Sequence, residues 1–544
     1  MTSRWSKILT LSLALICLAG LFSTEIADSD FWWHLKTGQY IVEHRSLPIP
    51  DPFSYTTSVT HEDQVRHFNL THEWLAQALL FMAYSLAGFP AIVFVRALIL
   101  ATVCALAGLL AARLSTNFYA GIVAAFATAS VAIEFTADRP ALVTFLFVAV
   151  FVTLLELRVA LWTLPAISLF WANSHGGFFL GWVILLAYCT QNRRRLWLVT
   201  ACSIVVSCLN PNGFGALSTL LKYRQSPLTA NLLEWQRPSP WGSPYGFDIL
   251  LYLAVLVLLF SWRRVKPTHW ILFAAFAAAS LMAFRNILLI GFLAPILIAA
   301  YFPFQLKLSR MFAWVTPILL VAAIARTSYF QFRVATWTTP AGAADYLLAN
   351  HLTGSLFNTY EQGGYLIWRL YPQNRVFIDG RALSDSLYQD YRQILNNDQS
   401  SADAVTGPRA DLLNRYGVQV VIMNTLDYVS GAMYPLALAL ANPLSSEWQL
   451  VYDDSQDLIF VRGLQSPPPA FPDKLRHVLN HLDIECAAYI EHSPNTPLCA
   501  RTLADYWLRN GVKDRARRML LLYLSHTSKK DPQAERALLL TQGN

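Results

Sequence analysis

Charge is scarce in this chain. Asp, Glu, Lys and Arg supply 14% of its 544 residues while hydrophobic side chains supply 55%, well outside the average of soluble globular proteins. Metal-binding spacing is missing as well: no HExxH occurs, so the usual signature of a zinc site is absent. Of seven cysteines none has CxxC spacing. Cys17, Cys104, Cys189, Cys202 and Cys208 lie inside or at the ends of apolar runs and read as packing residues. Cys486 and Cys499 are the only pair in a polar region, and a disulfide between them is expected if that region faces an oxidising compartment. No recognisable inverted repeat divides the apolar half, which counts against a transporter.

What is present is a series of apolar runs. Segments 8–26, 89–112 and 311–325 have about the 20-residue length that crosses a hydrocarbon core of roughly 30 Å. The net charge of +7 could suggest nucleic acid, but the cations sit in short clusters between apolar runs, where membrane topology accounts for them. Arg4 and Lys7 before the first run resemble a signal peptide; the run's length, and the lack of a small-x-small site before Asp28, favour an uncleaved first span.

Lys and Arg concentrate in cytoplasmic loops. With the N-terminus inside, Arg113, Arg158, the run 193–195, the cluster Arg263, Arg264 and Lys266, and then Lys307 and Arg310 all fall inside. Reading spans at 8–26, 89–112, 117–134, 140–158, 161–175, 177–191, 196–209, 248–262, 268–284, 287–304 and 311–327 gives about eleven and leaves the polar C-terminal region outside. The spans within 161–191 are short, and "WANSHGGFF" between them is compatible with a helical hairpin lining a cavity. On this map the residues able to do chemistry collect on the outer side: Asp28, Asp30 and His34; His72 and Glu73; Asp138 and Arg139; Asn173 and His175; Asn210 and Asn212; Glu234; Arg285. Polar groups at membrane depth are costly and commonly line a pathway or a site.

Each group has a structural and a chemical reading. Asp28 and Asp30 are either interfacial acids beside a Trp32 and Trp33 belt, or a general base with a neighbour that positions it or helps hold a divalent ion. Asp30 also suits the N-cap of an amphipathic helix running to Glu43, with Trp33, Leu35, Tyr40 and Ile41 on the membrane side. His72 and Glu73 open a helix, and with His34 and His175 they suit hydrogen bonding to a polar substrate better than a metal. The glycines of "NSHGG" either bend a hairpin or let backbone approach a ligand. Arg96, alone in its apolar run, is expected to snorkel to the outer headgroups. Arg139 and Arg285 can grip a phosphate, or pair with Asp138 or Glu234.

From about residue 337 the composition turns soluble. "SLFNTY", "RVFIDG" and "VQVVIMNT" read as strands, 341–351, 386–397 and 408–416 as helices, and "WQLVYDDSQDLIFVR" as a hairpin turning at 454–456. The Gly and charged residues of "YEQGGYLIWRL" and "FIDGRA" at strand ends could form a loop site, or simply make turns. "LQSPPPAFP" marks a linker. Residues 473–540 read as helical, and "LADYWLRNGVKDRARRMLLLYL" resembles one tetratricopeptide-like helix pair.

Taken in order, "ADSDFWWHLKTGQYI", "LPIPDPFSYT", "HEWLAQALLF", "LFWANSHGGFFLG", "LNPNGFG" and "FNTYEQGGYLIWRL…VFIDGRA" resemble a bacterial branch of the C-type (GT-C) glycosyltransferase superfamily, integral-membrane enzymes that use polyprenyl-phosphate sugars. The resemblance spans about residues 28–382. It implies a mostly α, polytopic membrane domain over 1–330 with its first outer loop at 27–88. A periplasmic α/β domain over 337–465 and a helical tetratricopeptide-like region over 466–544 follow. It further implies Asp28 or Asp30 as catalytic base. His34, His72, Glu73, Arg139, Asn173, His175, Glu234 and Arg285 would bind a lipid-linked sugar donor and a glycan, lipid or protein acceptor. Some superfamily members need a divalent cation and others do not, so no cofactor carries over. The competing reading is a non-catalytic polysaccharide-assembly or scaffold protein that keeps the fold and holds envelope partners through its C-terminal helices.

Overall fold

The computed structural model describes residues 4–60, 64–191, 194–223, 233–239, 241–243, 246–303, 330–337, 339–397, 410–527 and 530–541. The chain forms two compact units. The first comprises Met1–Ile49 and Asp63–Ala335, the second Pro50–Glu62 and Thr336–Asn544.

Helices make up most of the first unit's described residues, with one isolated parallel bridge, Ile26 to Val334. Its helices are α1 (Arg4–Leu21), α2 (Phe31–His44), α3 (Gln64–Thr71), α4 (Trp74–Ala87), α5 (Phe89–Ser115), α6 (Phe118–Ala132), α7 (Ala141–Leu157), α8 (Leu164–Ala172), α9 (Phe179–Cys189), α10 (Arg194–Ser207), α11 (Gly215–Tyr223), α12 (Phe247–Phe260), α13 (Pro267–Met282) and α14 (Ile287–Tyr301). Long apolar runs favour helices because a bilayer offers no partner for a free backbone group, and only a helix or a closed barrel satisfies them all internally. Every apolar run read as a span up to residue 304 overlaps one of these helices. The last, 311–327, lies outside the described residues, as do Arg193, Lys307 and Arg310. Among the described residues four stretches are long and apolar enough to cross a membrane, Arg4–Leu21, Phe89–Ser115, Phe118–Phe135 and Phe284–Tyr301, and this is the signature of a multi-pass membrane protein. Between 161 and 191 the chain forms two short helices, α8 and α9, joined through Asn173 to Phe178.

Two expectations are corrected here. Arg96 does not snorkel: its side chain is 1% exposed and pairs with Asp138 at 2.6 Å. The partner is invisible in the local sequence because it comes from a loop 42 residues downstream. Nor does α2 turn its expected membrane face outward. Trp33, Leu35 and Ile41 are buried within the protein, because α2 packs along α4. Gly38 permits this, since a Cβ placed there would come 2.0 Å from the Gln77 carbonyl oxygen.

The second unit holds a four-stranded sheet of β1 (Ser355–Asn358), β2 (Val418–Met423), β3 (Gln449–Asp453) and β4 (Leu458–Val461) in the order β1-β2-β4-β3. The β1 and β2 strands are parallel, and β4 runs antiparallel to both β2 and β3. "RVFIDG" is not a strand of this sheet. Val376 makes only an isolated parallel bridge to Ser54, because the stretch is used to hold segment 50–62. Arg381 stands at the centre of that contact: its guanidinium bonds Asp51 at 2.6 Å and Asp379 at 2.7 Å, donates to Ser54 Oγ at 2.9 Å and covers the Phe53 ring. "YEQGGYLIWRL" forms a helix, Gly363–Leu370, in place of a strand-end loop. Further on, helix Lys474–His492 is tied to β3 by the buried His481, which bonds Asp453 at 2.7 Å and Glu485 at 3.1 Å. Cys486 and Cys499 form a disulfide between that helix and Leu498–Arg509.

Removing one partner of a buried ion pair strands the other charge. Arg381→Met is therefore expected to destabilise the full chain by about 3–5 kcal/mol, read as a lower thermal unfolding midpoint of the detergent-purified protein. Arg369, whose pair with Asp345 is largely exposed, is the control. Its replacement by Ala is expected to cost no more than about 1 kcal/mol.

Candidate functional site

The site is built on a buried guanidinium. Besides Asp138, Arg96 donates to the carbonyl oxygens of Phe22 at 3.2 Å and Thr136 at 2.6 Å, and to that of Thr24. It thereby joins the end of α1 to the loop between α6 and α7. These two segments carry Asp28 and Arg139 respectively. The loop presents its neighbouring charges in opposite directions, Asp138 inward to Arg96 and Arg139 outward to the acids. Pro140 then starts α7.

Arg139 engages three carboxylates. It grips Asp28 with two nitrogens, Nε and Nη2, at 2.5 and 2.6 Å. Nη1 reaches Asp30 Oδ2 at 3.0 Å and Glu234 Oε2 at 3.2 Å. Glu234 in turn binds Arg285 at 3.2 Å, and Arg285 lies over the Trp235 ring at 4.7 Å. The two aspartates differ in environment. Asp28 accepts the Asp30 backbone N–H at 3.2 Å; burial opposes its ionisation, but the two-pronged Arg139 contact prevails and holds its carboxyl below the usual range. Asp30 sits at the N-cap of α2 but makes no side-chain cap bond. Its Oδ1 accepts Trp33 Nε1 at 3.0 Å instead. Burial pushes its carboxyl up to about 7; Arg139 resists this and the Asp28 charge reinforces it.

Beside this junction three imidazoles surround Glu73: His72 at 3.3 Å, His34 at 3.6 Å and His175 at 3.6 Å. The tautomer of His175 follows from its partners. Trp171 Nε1 donates to Thr144 Oγ1 at 2.9 Å, and the Gly177 N–H donates to His175 Nδ1 at 3.0 Å. Nδ1 is thus an acceptor and the proton sits on Nε2, toward Glu73. His72 differs, because its Nδ1 donates to the Phe68 carbonyl at 2.8 Å. Its Nε2 reaches Glu73 as a donor only in the doubly protonated ring. His34 also contacts Gln77 Nε2 at 3.2 Å. Burial pushes His34 down to about 4 and His175 down to about 3, in spite of Glu73, so both are neutral at physiological pH. Burial works against ionised Glu73 too, but His72 and then the other rings outweigh it and its carboxyl lies below the usual range.

All the residues singled out from sequence belong to the first unit. Asp28, Asp30, Arg139, Glu234 and Arg285 form one connected group; Glu73, His34, His72 and His175 form another. Asn173 joins neither directly. Its Oδ1 accepts Trp74 Nε1 at 2.9 Å and its Nδ2 donates to the carbonyls of Leu169 and Leu209, so its amide pins the start of α4 to the hairpin. Sequence reasoning missed Gln77, Thr144 and the role of Arg96. Gln77 lies four residues after Glu73, on the same helical face, and that spacing was a usable signal; Thr144 in an apolar run offered none. Among the described residues no group of three or more His, Cys, Asp or Glu has the geometry to hold a metal ion. The acids converge on a guanidinium.

No protein-family model and no curated protein matches the chain. Its fold has solved counterparts. The oligosaccharyltransferase of Archaeoglobus fulgidus in its apo form superposes with a TM-score of 0.51 at 13% identity, over 86% of this chain and 75% of that one. The same organism's oligosaccharyltransferase AglB, in complex with an inhibitory peptide and a dolichol-phosphate, gives 0.52 at 12% identity with the same coverage. The likeness is one of fold: the chain shares the architecture of these oligosaccharyltransferases.

Gly38→Ala is expected to force α2 away from α4 at a cost of about 1–3 kcal/mol. Because Trp33 and His34 ride on α2, the intrinsic Trp fluorescence of the purified protein should change together with its unfolding midpoint.

Proposed function

We propose that the chain is a membrane glycosyltransferase. It moves a sugar from a polyprenyl-phosphate-linked donor to a glycan, lipid or protein acceptor on the outer face of a bacterial cytoplasmic membrane, with inversion at the anomeric carbon. The observation that carries this reading is the gathering of Asp28, Asp30, Glu234, Arg139 and Arg285 from four separate stretches of the chain within a GT-C fold.

The roles divide by environment. Asp28 is engaged by both prongs of Arg139 and by the backbone of Asp30, so it positions. Asp30 is more open, with its side chain 19% exposed against 7% for Asp28, and a carboxylate titrating near 7 is well matched to a general base. Asp30 takes the acceptor's proton as the acceptor heteroatom bonds to the anomeric carbon. The bond from that carbon to the lipid phosphate oxygen breaks, and the leaving phosphate carries away the electron pair. Arg285 is the cation suited to that phosphate, since the ion pair it makes is with one carboxylate and its face rests on Trp235. Glu73 and its histidines supply donors and acceptors for hydroxyl groups. Trp33, bonded to Asp30, and Trp235, against Arg285, offer aromatic surfaces beside the acids.

Asp30→Asn is expected to lower turnover of a polyprenyl-phosphate sugar by 10²-fold or more, on the order of a general-base contribution. Asp28→Asn should act mainly by loosening Arg139. Because Asp30 works only when ionised and its carboxyl is raised to about 7, wild-type turnover should fall as pH drops through 7. A rate flat down to pH 5 would assign the base to Asp28 instead. Unchanged glycan profiles in both mutants, together with loss of bound partners on deleting 466–544, would replace the enzyme by a scaffold.

A further inference from the structure

We infer that Arg139 is the resident cation of this site: its guanidinium fills the place among Asp28, Asp30 and Glu234 that a divalent ion would take, and the centre works without a bound metal. The inference deepens the glycosyltransferase reading, but its geometric basis stands apart from it.

Three carboxylates drawn from two distant segments, 28–30 and 234, turn toward one point with the oxygen donors that a hard divalent cation takes at roughly 2.0–2.6 Å, yet among the described residues they lack the geometry to hold one. Here that point is occupied by covalent structure. All three nitrogens of the guanidinium are used: Nε and Nη2 on Asp28, Nη1 on both Asp30 and Glu234, at 2.5 to 3.2 Å. An ion bonded to these oxygens would have to sit inside the volume of the guanidinium. Charge gives the same answer. With all three carboxylates ionised, they and Arg285 would leave two net negative charges, which a divalent ion would neutralise; Arg139 leaves one, and the same ion would overshoot to a net positive charge.

Arg139 is also held in place. The Arg139 N–H donates to the Ala137 carbonyl at 3.0 Å and the Arg139 carbonyl accepts from Leu142 at 3.1 Å, between Asp138, fixed by Arg96, and Pro140, the N-cap of α7. A guanidinium keeps its charge at every accessible pH and cannot be removed by a chelator. It orients the acids and supplies fixed positive charge through hydrogen bonds. It offers no open coordination position, so the donor phosphate is met by N–H groups.

The test uses the full chain, purified in detergent and stripped with EDTA, with Mn²⁺ alone as probe and free Mn²⁺ followed by its paramagnetic resonance. Wild type should show no saturable Mn²⁺ binding that depends on Asp28. Arg139→Ala, with Arg139→Gln as the closer match in size, should gain one bound Mn²⁺ that is lost again when Asp28→Asn is added. In parallel, wild-type turnover of a polyprenyl-phosphate sugar should be unchanged by EDTA. The inference is overturned if wild type binds Mn²⁺ in a manner abolished by Asp28→Asn, if neither monodisperse Arg139 variant gains the site, or if EDTA removes wild-type turnover and Mn²⁺ restores it. The binding arm needs no substrate, so a failure of the glycosyltransferase reading leaves it informative.

Discussion

A single buried guanidinium, Arg96, sets the geometry on which the rest of the site depends. It spends its donors on three backbone carbonyls and one carboxylate, and so binds the end of α1 to the loop between α6 and α7. Taking a charged group out of water is expensive unless its hydrogen bonds are met. Here the observed arrangement of the two loops meets them. That arrangement brings Asp28 within reach of Arg139, and every later contact of the acidic site follows from it. Loss of Arg96 would strand Asp138, 3% exposed, and the loops would lose their common reference.

Once the loops are fixed, two nearby carboxylates acquire different characters without any change of residue type. Asp28 accepts from two nitrogens along one edge of the planar Arg139 guanidinium, the two-pronged geometry in which a guanidinium stabilises a carboxylate best. Asp30 receives a single guanidinium nitrogen and an indole N–H while the Asp28 charge works against it. Pairs of titratable groups whose surroundings push them apart are a recurrent source of separate acid, base and anchoring roles. The two positions share a motif; the single Arg139 between them makes the distinction.

Proximity among the candidate residues was easier to anticipate from the sequence than their wiring. The alternation of apolar runs and cations, which follows from the physics of a bilayer, singled out Asp28, Asp30, Glu73, Arg139, His175, Glu234 and Arg285, and the fold draws them into two connected groups. What could not be read were contacts across long sequence distances. Arg96 looked unpartnered because Asp138 is 42 residues away. The pairing of segment 50–62 with Asp379 and Arg381 spans more than 300 residues. "RVFIDG" has a strand's composition, yet tertiary contacts gave it another use; composition reports a preference, and packing decides. Asn173 was chosen as a polar residue at membrane depth, and its amide is absorbed by the hairpin.

The site that results has two poles of different kind. At one, Asp28, Asp30 and Glu234 face Arg139 and Arg285, and ionic contacts dominate. At the other, a buried Glu73 is enclosed by imidazoles, of which His34 and His175 are held neutral by burial, and hydrogen-bond direction matters more than charge. A neutral ring with a fixed tautomer presents one donor and one acceptor at set angles, a pattern suited to hydroxyl groups and poorly suited to phosphate, which wants cations. A lipid-linked sugar carries both chemistries in one molecule, a phosphate next to a ring of hydroxyls. On the proposed function, a charged pole beside a neutral one, joined on α2 through the consecutive residues Trp33 and His34, would orient such a molecule with its phosphate toward Arg285, its hydroxyls toward Glu73, and the anomeric carbon between them, near Asp30.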